Sequence, residues 1–93
     1  MVKAIYTVTN PLGIHARPSR LIVEVASKFI SSIFFSSNNN KALDAKSTLS
    51  LLLLAAAQGT KIQVEVEGPD EKEAMEAIKN LFDTGFNESY KKE

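Results

Sequence analysis

Residues 61–67 alternate strictly between polar and apolar side chains, in the order Lys-Ile-Gln-Val-Glu-Val-Glu. This alternation predicts a β-strand with Ile62, Val64 and Val66 on one face. Such a strand offers one face to a core and the other to solvent. It constrains the fold strongly, because it demands a sheet that is covered by helices on one side only.

The rest of the chain alternates between strand patterns and helix patterns. Residues 2–8 predict a first strand, and an apolar stripe over residues 17–28 predicts a helix with Pro18 in its first turn. The remaining predicted elements are strands at 32–37 and 41–45 around a turn at Asn38-Asn39-Asn40, a short helix at 47–54 and a last helix after Gly68-Pro69. The predicted order is β-α-β-β-α-β-α, an α+β fold.

Local signals mark the ends of the helices. Ser47 is predicted to cap the second helix, and Asp70 with Glu73 has the spacing of a capping box for the last one. Gly85 is predicted to end that helix. Because 93 residues fit one domain, we expect a single domain over residues 1–85, followed by a polar C-terminal tail over 86–93.

The second helix is apolar on nearly every face. A helix of this kind is normally buried all round, but a domain of this size can hardly enclose one completely. We therefore expect a split. Leu51 and Leu54 should belong to the core, and Leu49, Leu52 and Leu53 should lie at the surface.

Composition narrows the classes of function. Eleven Lys and Arg residues balance eleven Asp and Glu residues, so the chain lacks the basic footprint of a nucleic-acid binder. The chain has no cysteine, which excludes thiol chemistry. Because it also has only one histidine, we expect no metal site. The longest apolar run, at residues 51–57, is too short for membrane insertion, and no secretion signal opens the sequence. We expect a cytoplasmic protein.

His15, the only histidine, lies where the first helix is predicted to begin. The free backbone N–H groups and the dipole of a helix N-terminus favour a bound anion. Arg17 adds a planar, permanently charged donor that matches phosphate oxygens. The residues therefore offer a nucleophile, an anion site and a counter-charge close together. The alternative from the residues alone is a surface histidine that caps a helix.

The segment Gly13-Ile14-His15-Ala16-Arg17-Pro18 resembles the active-site motif of the HPr phosphocarriers of the bacterial phosphoenolpyruvate:sugar phosphotransferase system. The resemblance covers about residues 1–83. It includes Lys46-Ser47, Gln58-Gly59 and Gly68-Pro69-Asp70-Glu71 at matching distances. It implies an open-faced β-sandwich, in which a four-stranded antiparallel sheet carries three helices on one face.

The resemblance also implies a function for His15. The matching histidine accepts a phosphoryl group on Nδ1 from phosphorylated enzyme I and passes it to the IIA domains of sugar permeases. The backbone of the residues matching Ala16 and Arg17, with the guanidinium of the latter, stabilises the phosphohistidine. Such a protein is a carrier and not an enzyme, needs no cofactor and is expected to be a monomer. Many family members have Ser or Asn in place of Leu12, so a side-chain contact to the phosphate is not expected there.

The resemblance implies further roles for the second helix. In many bacteria the serine matching Ser47 is phosphorylated by HPr kinase/phosphorylase, which slows transfer from enzyme I and can enable binding to a transcriptional regulator. The alternative is a phosphoserine-free N-cap, and Thr48-Leu49-Ser50 departs from the Ile-Met-Gly pattern of kinase-regulated members. Leu49 and Leu52 match apolar positions that dock partners, and Arg20 is expected to extend the basic rim around His15.

Two alternatives to a carrier for sugar uptake stay open on the sequence. One is a regulatory relay that uses the same His15 chemistry and is controlled through Ser47. The other is a non-catalytic binding module with a surface unrelated to His15.

Overall fold

The computed structural model describes residues 1–9, 13–37, 42–54 and 56–87. Its elements are, in order, β1 (Val2–Thr7), α1 (Ala16–Ala26), β2 (Ser32–Ser36), β3 (Leu43–Asp44), α2 (Thr48–Leu54), β4 (Lys61–Glu67), α3 (Glu71–Asp83) and a 3₁₀ turn (Gly85–Asn87). This order confirms the predicted β-α-β-β-α-β-α arrangement. The three asparagines at 38–40, predicted as a turn, lie outside the described residues.

The four strands form one antiparallel sheet in the order β1-β4-β2-β3. The strictly alternating strand β4 lies inside the sheet, where it pairs Ile62 with Tyr6 of β1 and Val64 with Phe35 of β2. Its apolar side chains are fully buried and its polar ones face away from the core. The open-faced β-sandwich that the sequence predicts is therefore confirmed.

The core lies between the sheet and the helices. Helix α3 packs on β1, β4 and α1, and α2 packs on α1 and β3. Phe82 of α3 gathers an aromatic cluster, with ring centroids 5.2 Å from Tyr6, 5.9 Å from Phe35 and 4.9 Å from Phe86. This cluster joins α3 to both β1 and β2.

The leucines of α2 divide as predicted. Leu51 and Leu54 are buried, whereas Leu49 and Leu53 are each 68% exposed and Leu52 is 41% exposed. Across the described ranges, no helix is long and apolar enough to cross a bilayer.

The predicted capping box of the last helix is wrong. Asp70 occupies the N-cap of α3, but its side chain caps nothing among the described residues. Its carboxylate instead accepts hydrogen bonds from the backbone N–H groups of Ile30 (3.0 Å) and Ser31 (2.9 Å), and from Ser31 Oγ (2.5 Å). These bonds, with the Ser31 hydroxyl as the largest cause, hold the pKa of Asp70 below its ordinary 3.8. The carboxylate thus ties the start of α3 to the start of β2.

The packed chain extends past the boundary that the sequence indicated. Phe86, placed in the tail by the sequence, is 0% exposed and completes the aromatic cluster. A left-handed backbone at Phe86 (φ 60°), directly after Gly85 with the same φ, turns the ring back into the core. Residues 88–93 lie outside the described part of the chain.

Candidate functional site

Helix α1 begins at Ala16, one residue earlier than predicted, with His15 as its N-cap. The His15 backbone is extended (φ −110°, ψ −158°), and its carbonyl accepts the first helical hydrogen bond from Ser19 N (3.0 Å). The imidazole makes no capping bond to the described first turn. Pro18 supplies a reason, because it occupies the third helical position and has no N–H for a cap to bind. His15 therefore occupies the N-cap position without the usual side-chain capping bond.

The segment before His15 is held from behind by the loop between α2 and β4. Ile14 N donates to the Ala56 carbonyl (2.8 Å), and Gln58 Nε2 donates to the Thr9 carbonyl (3.0 Å). Gly13 has a positive φ of 71°, and a Cβ there would collide with the Ala56 carbonyl oxygen. Only glycine fits this approach, and it fixes the chain just ahead of the histidine.

Burial orients the imidazole. Ile14, Pro18 and Ile22 face the core, which places the start of α1 with one side inward. The His15 side chain is half-buried, and its Nε2 atom is fully covered by protein. The Nε2 edge of the ring is therefore turned away from solvent.

The surroundings of His15 suit an anion. Ala16 and Arg17 are exposed, and their N–H groups precede the first helical hydrogen bond, so no helical carbonyl uses them. The first turn of α1 carries no acidic residue, and Arg20 is exposed one turn further on. Backbone donors and guanidinium groups thus lie at the same helix end as the imidazole.

Ser47 caps α2, as the sequence predicts. Its Oγ accepts from Ser50 N (3.2 Å), and its carbonyl accepts from Leu51 N (3.1 Å). The exposed leucines at 49 and 52 follow on the same helix, which packs against α1. The predicted docking residues therefore lie on two adjoining helices.

Sequence reasoning missed one support of the site and one buried polar residue in the first helix. The Ala56 carbonyl acts through the backbone, which no side-chain pattern reveals. Ser19 is a fully buried serine one turn into α1, and the only signal for it is a polar residue within a stripe of apolar ones. Leu12, where a polar contact was not expected, lies outside the described residues.

Comparison with known proteins identifies close relatives of this architecture. The family model for the PTS HPr component phosphorylation site matches residues 2–84. The chain is 46% identical over 82 residues to phosphocarrier protein HPr of Xylella fastidiosa strain Temecula1, covering 88% of this chain and 91% of the relative. It is 38% identical over 87 residues to phosphocarrier protein NPr of Escherichia coli K12, covering 94% of this chain and 97% of the relative. The solved structure of HPr-C-His from Thermoanaerobacter tengcongensis superposes with a TM-score of 0.89 at 37% identity, covering 96% and 99%.

Proposed function

Because this chain belongs to the HPr family of phosphocarrier proteins, we propose that His15 Nδ1 accepts a phosphoryl group from phosphorylated enzyme I and delivers it to the IIA domains of sugar permeases. The observation that carries the proposal is the imidazole at the N-cap of α1, with its Nε2 edge buried. The protein is a carrier that its partners act on, and not an enzyme. We place it in the cytoplasm.

The transfer step needs little covalent machinery from the carrier. The Nδ1 lone pair attacks phosphorus, and the Nδ1–P bond forms as the bond between phosphorus and the donor breaks. The electron pair of the broken bond stays with the donor. In this proposal the backbone N–H groups of Ala16 and Arg17 and the Arg17 guanidinium would receive the phosphoryl oxygens. A phosphorus–nitrogen bond of this kind is labile, which suits a relay that must both take and give.

Partner docking is proposed for the surface next to His15. The exposed Leu49 and Leu52 supply apolar contact and Arg20 supplies charge. Ser47 lies at the start of the same helix, where a phosphoserine would add a charge of about −2. Modification of Ser47 by HPr kinase/phosphorylase would repel acidic partners and could favour binding to a transcriptional regulator.

The direct test mixes the protein with phosphoenolpyruvate and a bacterial enzyme I, followed by intact-mass measurement. We expect the gain of one phosphate that is lost in mild acid, and no gain in a His15→Ala variant. An unphosphorylated wild-type protein, or a His15→Ala variant that still gains the phosphate, would contradict the proposal.

A second candidate function keeps the chemistry and changes its recipients. The observation that favours a regulatory relay is the 38% identity to an NPr protein over nearly the whole chain. The discriminating measurement offers the phosphorylated protein separately to IIA domains of sugar permeases and to regulatory IIA proteins. Faster transfer to the sugar-permease domains supports the first function, and the reverse order supports the second.

A further inference from the structure

Gln58 is an exposed residue whose side chain nevertheless bonds to a partner far away in the sequence. Its Nε2 donates to the carbonyl of Thr9 at 3.0 Å, across a separation of 49 residues. Because water competes for a hydrogen bond at the surface, this one adds little to the stability of the fold. Its location is therefore the feature that indicates a role.

Backbone hydrogen bonds join the rest of the loop between α2 and β4 to the end of β1. Val8 N donates to the carbonyl of Thr60 (2.9 Å), and Gly59 N donates to the carbonyl of Val8 (2.8 Å). Gln58 extends this row of contacts by one residue, to Thr9, with a side-chain donor. A substitution can remove that contact and leave the backbone bonds in place.

Two residues before Gln58, the same loop holds the chain next to His15. The Ala56 carbonyl accepts from Ile14 N at 2.8 Å, and a Cβ on Gly13 would collide with the same oxygen. Ala56 and Ile14 are both buried, so this contact has little room to adjust. The position of Ala56 therefore limits the position of the residue directly before the imidazole.

A turn connects the two contacts of the loop. Thr60 N donates to the carbonyl of Ala57 at 3.0 Å, which closes the turn. Gln58 lies inside this turn, and Ala56 directly precedes it. Because the turn is closed, a side chain that holds it in place also limits the movement of the Ala56 carbonyl.

We propose that Gln58 is a positioning residue for His15. Its side-chain amide holds the loop between α2 and β4 against Thr9, so that the Ala56 carbonyl fixes Ile14 and, with it, the start of α1. The inference rests on the proposed phosphorylation of His15. Gln58 is assigned no contact with the phosphoryl group and acts through the backbone. Phosphoryl transfer depends on the alignment of the nucleophile, so a looser loop would slow it.

The test uses Gln58→Met, which keeps a side chain of similar length and removes the N–H donor. With phosphorylated enzyme I, the maximal rate of His15 phosphorylation should fall about two- to tenfold, because the imidazole is aligned less often. The concentration of carrier that half-saturates enzyme I should change less than about twofold. In the unphosphorylated protein, hydrogen exchange of the Ile14 N–H should become about two- to tenfold faster.

The matched control is Gln63→Met. Gln63 is an exposed glutamine of β4 that faces away from the core, and its Nε2 donates to Glu65 at 3.3 Å. This variant should leave both the maximal rate and the exchange of the Ile14 N–H unchanged. An unchanged maximal rate or unchanged Ile14 exchange in Gln58→Met, or equal changes in Gln63→Met, would each overturn the proposal.

The same measurements separate this inference from the proposed function. A wild-type protein that accepts no phosphate would overturn the proposed function of His15 and this inference together. A wild-type protein that is phosphorylated at the same maximal rate as Gln58→Met would overturn this inference alone.

Discussion

At the scale of single residues, the site depends on groups that the neighbouring residues lack. Pro18 lacks the N–H that a capping side chain would bind, and Gly13 lacks a Cβ that would collide with Ala56. Both features limit the conformations of the backbone next to His15. The backbone therefore sets the position of the proposed nucleophile, and its charged neighbours would tune the proposed transfer.

Arg17 and Arg20 should separate into chemistry and docking. Arg17→Ala removes charge beside the phosphoryl group and should slow phosphorylation of His15 about ten- to a hundredfold at saturating enzyme I. Arg20→Ala should mainly raise the concentration of this protein that half-saturates enzyme I, with the maximal rate changed less than about twofold. Initial rates at varied carrier concentration test both. Equal effects of the two variants on the maximal rate would contradict this division.

Gly13 and Gly59 form a matched pair for the close approach behind the site. Both have positive φ, but a Cβ at Gly13 meets the Ala56 carbonyl, whereas one at Gly59 meets nothing within 4 Å. Gly59→Ala should cost about 1 kcal/mol from backbone strain, and Gly13→Ala about 2–4 kcal/mol from strain and collision together. Denaturant unfolding measures both values, and equal costs would rule out the collision as a contributor.

At the scale of elements, α2 is a short helix that depends on its cap and on two buried leucines. It has seven residues, and a helix of this length gains most of its stability from packing. The same helix presents Leu49, Leu52 and Leu53 to solvent. One element therefore contributes to the core and to the proposed docking surface, and substitutions can address each separately.

Substitutions of Ser47 test its role as the N-cap of α2 separately from any phosphorylation. Ser47→Ala should cost about 1 kcal/mol, a fall of about 4–8 °C in melting temperature, because Ser50 N loses its acceptor. Ser47→Asp keeps an acceptor and a favourable charge at the N-terminus, so its melting temperature should stay near the wild-type value. The aspartate variant should nevertheless accept phosphoryl groups from enzyme I more slowly. A melting temperature as low as that of Ser47→Ala would show that the cap is not electrostatic.

Leu51 and Leu52 differ in burial although they are neighbours. Leu51→Ala should cost about 2–5 kcal/mol because it leaves a cavity in the core. Leu52→Ala should cost well under about 1 kcal/mol and instead weaken the proposed docking of enzyme I. Thermal unfolding and transfer kinetics, measured on both variants, check this assignment. Comparable losses of stability would contradict it.

At the scale of the whole molecule, the Asp70 carboxylate joins parts of the chain that are 39 and 40 residues apart. It ties the approach to β2 to the start of α3, and the adjacent Glu71 accepts from Gly68 N at 3.1 Å. The pKa of Asp70 is lowered in the folded state. The contribution of this carboxylate to stability is therefore fully present above its unfolded value of 3.8 and is lost as the pH falls through its lower folded value.

Acid unfolding tests this long-range tie. Asp70→Asn should lower the melting temperature at neutral pH and should flatten the further decline below about pH 4, because the amide accepts these hydrogen bonds without a charge. Asp83→Asn is the control, because the ion pair described for this residue is an exposed one with Lys79 at 3.6 Å. It should leave both the melting temperature and its acid dependence nearly unchanged. An acid dependence of Asp70→Asn equal to that of the wild type would contradict the assignment.

Periodic features were predictable from the sequence and long-range ones were not. The alternation in β4 and the split of the leucines depend on local patterns, so both predictions are confirmed. Asp70 failed as a cap because its partners lie far away in sequence, where a spacing rule cannot reach. Composition assigned Phe86 to the tail. It does not reveal the left-handed backbone after Gly85, which turns Phe86 back into the core.

The half-exposed setting of the imidazole has a consequence for timing. A phosphoryl group carried on His15, as proposed, would travel in contact with water, since the His15 side chain is half-exposed. The phosphorylated protein would then be exposed to hydrolysis from the moment it leaves its donor. Delivery succeeds only if the time needed to meet a recipient is short compared with the time that hydrolysis takes. A chain of 10.2 kDa diffuses fast, so its small size shortens the time needed to meet a recipient.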